Sequence, residues 1–323
     1  MIQLNPLLPL DIVYASEHGS GTTGKSWQEH HEAFAHFINK FDVNNILEIG
    51  GLHGILCEKF NKINHSSDWT IIEPNPITKK NIKAKVIKGW FDDKFQSDCK
   101  YDAIVHSHVF EHTYDPHNFI KHISSFLNDG LLIFSVPNMD EMINRGYTNC
   151  INFEHTFLLG EPHIEYLLFK NSFEIVRKEY YKDDHSIFYC AKKTKNNITK
   201  KCFKDVKDNY QTLFNNYISS HIKDVIEINK KIEDTTLPVF LFGAHVFSQY
   251  LISFGLNTDK IVCLLDNDPL KENKRLYGTD LKSFSPKKLK GIGEAIVILR
   301  AGVYNNEVKE DISNNINKNI KFI

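Results

Sequence analysis

The sequence lacks the features that mark nucleic-acid-binding, membrane and disulfide-linked proteins. Its 39 Lys and Arg residues are balanced by 40 Asp and Glu residues, and the net charge of −1 offers no basic surplus for a polyanion. No run approaches the roughly 20 apolar residues of a membrane helix, and the first residues lack the basic and apolar regions of a secretory signal. The six cysteines form no Cys-x-x-Cys pair, which argues against a disulfide framework and against a cysteine zinc site. We therefore expect a cytoplasmic protein that binds neither nucleic acid nor membrane.

Arginine is also scarce, so side chains that grip a phosphate with two parallel hydrogen bonds are few. The four arginines are Arg145, Arg177, Arg275 and Arg300. The remaining composition is that of a globular protein, with 41% hydrophobic and 24% charged residues, and 323 residues are enough for two domains.

From residue 45 onward, short apolar runs alternate with segments of helical period. Strands are predicted at 46–49, 69–73, 85–88, 101–107 and 131–136, and helices at 55–62, 77–82 and 116–127. This alternation predicts an α/β fold with a doubly wound, mostly parallel sheet of the Rossmann-like kind. A hairpin of strands at 173–181 and 186–191 is expected to extend it. A second, smaller α/β pattern begins near residue 237.

The junction between the first strand and the first helix is rich in glycine. Gly50, Gly51 and Gly54 allow a tight turn and close approach of a ligand to the helix N-terminus. Glu48 precedes the first glycine by two residues, and Glu73 ends the next strand, where an acid accepts hydrogen bonds from ribose hydroxyls. This combination predicts a nucleoside-containing cofactor. The Gly-x-Gly-x-x-Gly pattern of an NAD-linked oxidoreductase is absent, which disfavours that enzyme class.

These residues resemble motif I and motif II of the class I S-adenosylmethionine (SAM) methyltransferases, with similar segments at 89–93, 101–112 and 128–138 in the same order. The resemblance implies that SAM is the cofactor, that Glu48 orients the methionine end and that Glu73 binds the ribose. It also places an adenine contact at Phe91 and Asp92, and it assigns His106 of the fourth strand to the cofactor site. The asparagine-proline motif of nucleic-acid amino methyltransferases is missing.

The same segments look most similar to sugar-nucleotide C-methyltransferases, whose N-terminal cysteine zinc module is absent here. This departure favours oxygen methylation, as in the sugar methyltransferases of bacterial capsule clusters, which the chain also resembles. The implied substrate is a nucleotide-linked sugar such as a GDP-heptose, for surface or capsular polysaccharide. Methylation of carbon in a keto-sugar nucleotide, and a non-catalytic SAM- or nucleotide-binding module, are the alternatives. Homo-oligomerisation stays open.

A hydroxyl acceptor profits from a general base, and histidine is the commonest one. His155, beside Glu154, follows the fifth strand at the carboxyl edge, where doubly wound folds hold ligands. His112 at the end of the fourth-strand motif and His185 in the hairpin turn are further candidates for the catalytic set. His18, in a glycine-rich loop that we interpret as a lid, is expected to reach the substrate. His106 and His108 alternate on one strand, but no His-x-x-x-His spacing supports a metal, and none is expected.

The last third of the chain contains another strand–glycine–helix junction, and it resembles the C-terminal Rossmann-like domain of sugar C-methyltransferases. That resemblance implies binding of the nucleotide end of the substrate, and the side chains it singles out are Gly243, His245, Arg275, Arg300 and Tyr304. The predicted organisation is an N-terminal lid and helix at 1–40, a SAM-dependent methyltransferase domain at 41–192, a linker and bridging helix at 193–235, and a C-terminal Rossmann-like domain at 236–323.

Overall fold

The computed structural model describes residues 7–14, 25–77, 82–127, 129–148, 154–194, 203 and 205–323. They fall into two compact units. The first consists of Met1–Glu141 with Phe153–Asp205, and the second of Met142–Asn152 with Val206–Ile323.

The first unit is built on a seven-stranded sheet. Its strands are β1 (Asn45–Ile49), β2 (Asp68–Glu73), β3 (Lys85–Lys88), β4 (Ala103–Ser107), β5 (Leu131–Pro137), β6 (Phe173–Tyr181) and β7 (Ser186–Lys193). They lie in the order β3-β2-β1-β4-β5-β7-β6, and β7 runs antiparallel to both of its neighbours while the other pairs are parallel. Ile49 of β1 is in register with Ile72 of β2 and with His106 of β4, so the carboxyl ends of these strands form one edge. The Rossmann-like fold predicted from the sequence is confirmed.

The described residues up to 170 form six α-helices. They are α1 (Leu10–Val13), α2 (Lys25–Ile38), α3 (Ile55–Asn61), α4 (Pro116–Phe126), α5 (Met139–Asn144) and α6 (Glu161–Lys170). A short 3-10 helix covers Phe110–His112 directly after β4. Residues 78–81 of the helix predicted at 77–82 lie outside the described residues.

The sheet carries a hydrophobic core on each face, because alternate strand residues point to opposite sides. Leu47 and Ile104 belong to the core that includes α4 and α6, whereas Ile46 belongs to the core that includes α2 and α3. Phe34 and Ile38 of α2 are fully buried in this second core. Burial of side chains of this size stabilises the fold by about 1.5–3 kcal/mol each, and it fixes the orientation of α2 against the sheet.

The second unit contains a five-stranded parallel sheet. Its strands are β8 (Val239–Phe242), β9 (Ile261–Leu265), β10 (Ser283–Phe284), β11 (Ala295–Leu299) and β12 (Ile320–Phe322), in the order β10-β9-β8-β11-β12. Its longer helices are α7 (Lys207–Glu233), α8 (Val246–Ser253) and α9 (Asn305–Asp311), and a π-helix at Ile312–Ile316 continues α9. Val225, Ile228 and Ile232 place α7 in the core of this unit. The predicted smaller α/β domain is therefore present.

Of the predicted strands, those at 85–88 and 173–181 begin and end where expected. Among the helices of the described residues, none combines the length and the apolar character needed to cross a membrane.

Candidate functional site

The glycine-rich turn joins β1 to α3 at the carboxyl edge of the first sheet. Gly50 and Gly54 have φ angles of +77° and +68°, in the left-handed region that glycine adopts most readily. A Cβ on Gly50 would lie 2.6 Å from Val109 Cγ2, and one on Gly51 would lie 2.7 Å from Ile71 Cγ2. The three glycines predicted at this turn are therefore required for its path.

The two predicted acids lie on either side of this turn and differ in their surroundings. Glu48 is buried, and its Oε2 accepts a hydrogen bond of 2.7 Å from the indole of Trp69. Burial raises the pKa of Glu48 to about 7, and the hydrogen bond from Trp69 offsets part of this effect. Glu73 ends β2, is 7% exposed and accepts a hydrogen bond of 3.0 Å from the backbone N–H of Asn75.

This arrangement fits a SAM molecule. Gly50 and Gly51 have no side chains and let a ligand approach the backbone, and Glu73 places a carboxylate at the end of the neighbouring strand, where ribose hydroxyls are bound in Rossmann-like folds. Glu48 lies beneath the turn, since the Cβ that Gly51 lacks would be 2.8 Å from Glu48 Cδ. Its contact with the methionine end stays a prediction, and its observed role is to support the turn.

The segment around α1 contributes a residue that the sequence analysis did not identify. The backbone carbonyl of Tyr14 accepts a hydrogen bond from the side chain of Asn75, and its ring meets Trp90 edge-on at 5.7 Å. Burial, together with Glu154, Glu111 and other nearby acidic groups, raises the pKa of the Tyr14 hydroxyl. Tyr14 thus lies near Glu73 and also near Glu111 and Glu154. No motif marks it, because its position depends on how α1 docks.

The predicted adenine contacts follow β3. The Phe91 ring packs against Phe95, His122 and Phe126, with ring centroids 4.7–5.5 Å apart. Asp92 accepts a hydrogen bond of 3.0 Å from the backbone of Lys94 and so closes a turn. These contacts are structural, and the adenine contact stays a prediction.

His106 is fully buried in an aromatic core, stacked on Phe134 at 5.0 Å and edge-on to Phe110 and Phe119. Within the described residues, neither of its ring nitrogens has a hydrogen-bond partner. Burial lowers the pKa of His106 to about 3, so the ring is neutral. This placement favours packing over the cofactor contact expected from the sequence, which remains untested.

Three of the four predicted catalytic residues meet beside the Phe110–His112 turn. We call Glu111, His112, Glu154 and His155 the acid–histidine cluster. The rings of His112 and His155 are 4.8 Å apart, and Nδ1 of His112 is 4.0 Å from Oε2 of Glu154. The backbone N–H of Thr156 donates to the carbonyl of Glu111, and the hydroxyl of Thr156 donates to the carbonyl of Thr113, which docks this segment against the turn.

The charges in this cluster are set by burial and by proximity. Burial, followed by the neighbouring His155, lowers the pKa of His112 to about 4, so His112 is neutral at pH 7. Burial alone would raise the pKa of Glu111. Contact with His108 and the charges of His112 and His155 outweigh this effect and bring the pKa to about 2. The cluster therefore combines an ionised, buried carboxylate with neutral imidazole.

His185, the fourth predicted catalytic residue, lies in a neighbouring group of side chains. His30 of α2, His108 directly after β4 and His185 directly before β7 form what we call the histidine triad. The rings of His30 and His185 stack at 5.0 Å, and the ring of Trp27 meets all three edge-on at 4.8–5.3 Å. His30 was not predicted from the sequence, because no local pattern links α2 to the strand ends.

The predicted substrate residues of the second unit have different surroundings. Gly243 has a φ of +99° at the end of β8, and the exposed His245 is the N-cap of α8. Tyr304 ends a 3-10 turn after β11. Arg300 is held by Asp224 of α7 through two hydrogen bonds of 2.6 and 2.7 Å.

Arg275 is exposed and pairs with the fully exposed Asp280 at 3.2 Å. Near Gly243, Asp266 at the end of β9 accepts a hydrogen bond of 2.8 Å from the backbone N–H of Ala244. His18 lies outside the described residues, as does most of the lid predicted around it.

Residues 25–178 match the family model described as a methyltransferase domain. The matched range contains the glycine-rich turn, both acids and the acid–histidine cluster. This range is therefore similar to a methyltransferase domain. A comparison with curated proteins gives no match.

Several solved structures are similar to part of the chain. The plantazolicin methyltransferase in complex with SAH is 17% identical, over 52% of this chain and 84% of that one, with a TM-score of 0.41. The magnesium protoporphyrin IX methyltransferase from Synechocystis PCC 6803 with bound SAH is 13% identical over 55% and 90%, with a TM-score of 0.42. An O-methyltransferase family protein from Burkholderia thailandensis is 9% identical over 53% and 57%, with a TM-score of 0.44.

Proposed function

We propose that this methyltransferase transfers the methyl group of SAM to a hydroxyl of a nucleotide-linked sugar. The observation that carries the proposal is the acid–histidine cluster. It gathers two imidazoles and two carboxylates at the carboxyl edge that also holds the cofactor turn. A sugar hydroxyl is a weak nucleophile near neutral pH, so a base at this position is chemically useful. The sugar class rests on the sequence resemblance to sugar-nucleotide methyltransferases.

The residues that would hold the cofactor are those of the turn and the strand ends. Glu73 would accept hydrogen bonds from the ribose, Gly50 and Gly51 would admit the ligand to the backbone, and Glu48 would support the methionine end. When bound, SAM supplies an electrophilic methyl group on a positively charged sulfur. The protein's main task is then to position and deprotonate the acceptor.

On the acceptor side, we assign His155 as the general base. It would take the proton of the attacking hydroxyl as the new oxygen–carbon bond forms. The resulting imidazolium would be stabilised by Glu111 and Glu154, because the effective dielectric constant is low in a buried site. His112 is neutral and packs against His155, so it would limit the positions of that ring. Tyr14 would border the site from the opposite side.

For the second unit we propose binding of the nucleotide portion at the carboxyl ends of β8 and β9. The glycine turn at Gly243 and the acid Asp266 support this assignment. Arg275 is the better candidate for the diphosphate, since an exposed ion pair such as that with Asp280 is weak and readily exchanged. The pair of Arg300 with Asp224 favours a structural role for Arg300.

The proposal is tested by incubating the full chain with SAM and a panel of nucleotide-linked sugars, including GDP-linked heptoses. Mass spectrometry should find one added methyl group on one member of the panel, with one equivalent of S-adenosylhomocysteine formed. The matched control is the same panel without the nucleotide, as free sugars, which should react poorly. If SAM binds but no nucleotide-linked sugar is methylated, while another class of hydroxyl compound is, the substrate assignment is wrong and the donor assignment stands.

A further inference from the structure

The histidine triad brings together three imidazoles from distant parts of the sequence. One ring nitrogen from each of His30, His108 and His185 lies within 4.8 Å of the others. His30 is fully buried and His185 is 7% exposed, so the group is largely shielded from solvent. All three residues belong to the first unit.

His30 is the clearest indication that a ligand is missing from this group. Within the described part of the chain, neither of its ring nitrogens has a hydrogen-bond partner. Buried polar groups normally have a partner, because an unsatisfied one costs free energy. Both nitrogens are surrounded by aromatic rings, including those of Trp27 and Phe34.

The other two rings are oriented as metal-binding histidines usually are. Nδ1 of His108 lies 3.2 Å from a carboxylate oxygen of Glu111, which leaves Nε2 for the interior of the triad. This Nε2 is 2.9 Å from the hydroxyl of Ser186, and the same hydroxyl is 2.7 Å from Nδ1 of His185. Both nitrogens therefore face the Ser186 hydroxyl, and an ion bound between them would replace these two contacts. A carboxylate behind a histidine fixes the tautomer and the ring orientation of a metal ligand.

The backbone of His108 supports the same interpretation. Its φ of +52° lies in the left-handed region, which a residue with a Cβ seldom adopts. Strained backbone of this kind is concentrated at functional sites, where the surrounding structure maintains it. Here it lies between the end of β4 and Val109, the residue that packs on Gly50 of the cofactor turn.

The donor type is suitable as well. Neutral imidazole is the form that binds metal ions, and it suits zinc and its neighbours among the divalent transition metals. The apolar wall provided by Trp27 would limit access of water.

We propose that His30, His108 and His185 bind one divalent transition-metal ion, with zinc as the preferred ion. Three imidazoles leave the fourth position of a tetrahedral zinc site open to an oxygen ligand. Ligands about 2.1 Å from zinc in a tetrahedron lie about 3.4 Å apart, so the three nitrogens, which lie within 4.8 Å of one another, would move closer together when the ion binds. This inference does not depend on the acceptor proposed above, and it departs from the expectation of no metal.

The experiment measures metal binding by the full chain. After chelator treatment and dialysis, the protein is titrated with Zn²⁺ in competition with a chromophoric chelator, and with Co²⁺ while visible absorption is recorded. One equivalent of Zn²⁺ should bind, and Co²⁺ should give the absorption bands of tetrahedral coordination. His185→Ala and His108→Asn should weaken Zn²⁺ binding by at least about 100-fold, more than the 10–100-fold cost of losing an orienting partner.

Matched variants locate the ion. Asparagine tolerates a left-handed backbone, so His108→Asn keeps the local conformation, and circular dichroism confirms that each variant is folded. His36→Ala changes an exposed histidine on the same helix as His30 and should bind Zn²⁺ as the wild type does. His155→Ala tests the adjacent group formed by Glu111, His112 and His155. Substoichiometric binding by the wild type, or loss of binding in His155→Ala with retention in His185→Ala, would overturn the proposal.

Discussion

Oε1 of Glu111 lies 3.2 Å from Nδ1 of His108, and this contact joins the two histidine groups of the molecule. Glu111 belongs to the acid–histidine cluster through its nearness to His112 and His155, and it orients a ring of the histidine triad through His108. One buried carboxylate therefore acts on both the proposed base and the proposed metal ligands.

Replacing this carboxylate with an amide should affect turnover more than SAM binding. In Glu111→Gln the shape is kept, but the negative charge beside His108 and His155 is lost. We expect turnover to fall about 10–100-fold, the usual cost of removing an orienting partner, while calorimetry gives an unchanged affinity for SAM. Glu174→Gln on the exposed edge strand β6 is the control. Unchanged turnover in Glu111→Gln would show that Glu111 only fills space.

Glu73 should account for a large part of SAM recognition. Its carboxylate ends β2 and is almost completely buried. Glu73→Ala should weaken SAM binding by about 1–3 kcal/mol, the scale for losing hydrogen bonds to a charged group. Isothermal titration calorimetry of the wild type, Glu73→Ala and the control Glu174→Ala measures this difference. An affinity within twofold of the wild type would remove Glu73 from the cofactor site.

Glu48 should make the folded chain less stable as the pH rises from 4.5 to 7. Its pKa is about 7 in the folded state against an ordinary value of 4.5, so the unfolded chain releases this proton at lower pH. The stabilising contribution of Glu48 to the free energy of unfolding is therefore fully present below pH 4.5. It decreases between pH 4.5 and 7 and does not change above pH 7. The total change is about 3 kcal/mol, at about 1.4 kcal/mol per pH unit.

Urea unfolding without SAM at pH 4.5 and pH 8 checks this expectation. Glutamine does not ionise, so Glu48→Gln should not lose this stability as the pH rises. Its free energy of unfolding relative to that of the wild type should therefore be about 3 kcal/mol higher at pH 8 than at pH 4.5. Trp69→Phe removes the indole that donates to Glu48, so its stability should fall more steeply with pH than that of the wild type. A difference in stability between Glu48→Gln and wild type that does not change with pH would mean that folding leaves the pKa of Glu48 unshifted.

His155 should be needed for chemistry and not for donor binding. His155→Gln should lower turnover about 10²–10⁴-fold, the usual contribution of a general base, with SAM affinity unchanged. His36→Gln, which alters an exposed histidine of α2, should keep full turnover. Near-normal turnover in folded His155→Gln would transfer the role of base to another group of the acid–histidine cluster.

The pair of Arg300 with Asp224 should stabilise the second unit. Both side chains are about one-third exposed, and the guanidinium is bound by both carboxylate oxygens. A double-mutant cycle of Arg300→Ala and Asp224→Ala should give a coupling energy of about 1 kcal/mol in unfolding experiments. Binding of a nucleotide-linked sugar should change little in either variant. Additive effects on stability, with lost substrate affinity in Arg300→Ala alone, would support direct binding of the diphosphate.

The parts of the site that the sequence predicted are those encoded locally. Gly50 and Gly54 are needed by one turn, and Glu73 ends a strand that a short apolar run marks in the sequence. The strands β3 and β6 likewise have the bounds that the sequence predicted.

The parts that the sequence did not predict depend on packing between distant segments. Tyr14 reaches the crevice only through the docking of α1, and His30 reaches His185 only because Phe34 and Ile38 fix α2 on the sheet. Arg300 was predicted to bind the diphosphate. Its ion-pair partner, Asp224, lies 76 residues earlier in the chain, and no local pattern in the sequence indicates this pair. Phe91 and His106 each pack among aromatic rings in the structure, and their predicted contacts with the cofactor stay predictions.

The most direct test of the proposed methyl transfer follows the methyl carbon from SAM to the sugar. The full chain is given SAM labelled with ¹³C in the methyl group, together with the nucleotide-linked sugar that reacts best, and the product is identified by nuclear magnetic resonance. We expect the label in a methyl group bonded to a sugar oxygen, with an equal amount of S-adenosylhomocysteine. A label bonded to a sugar carbon would establish C-methylation, and label retained in SAM with every acceptor would contradict the assignment of methyl transfer to this site.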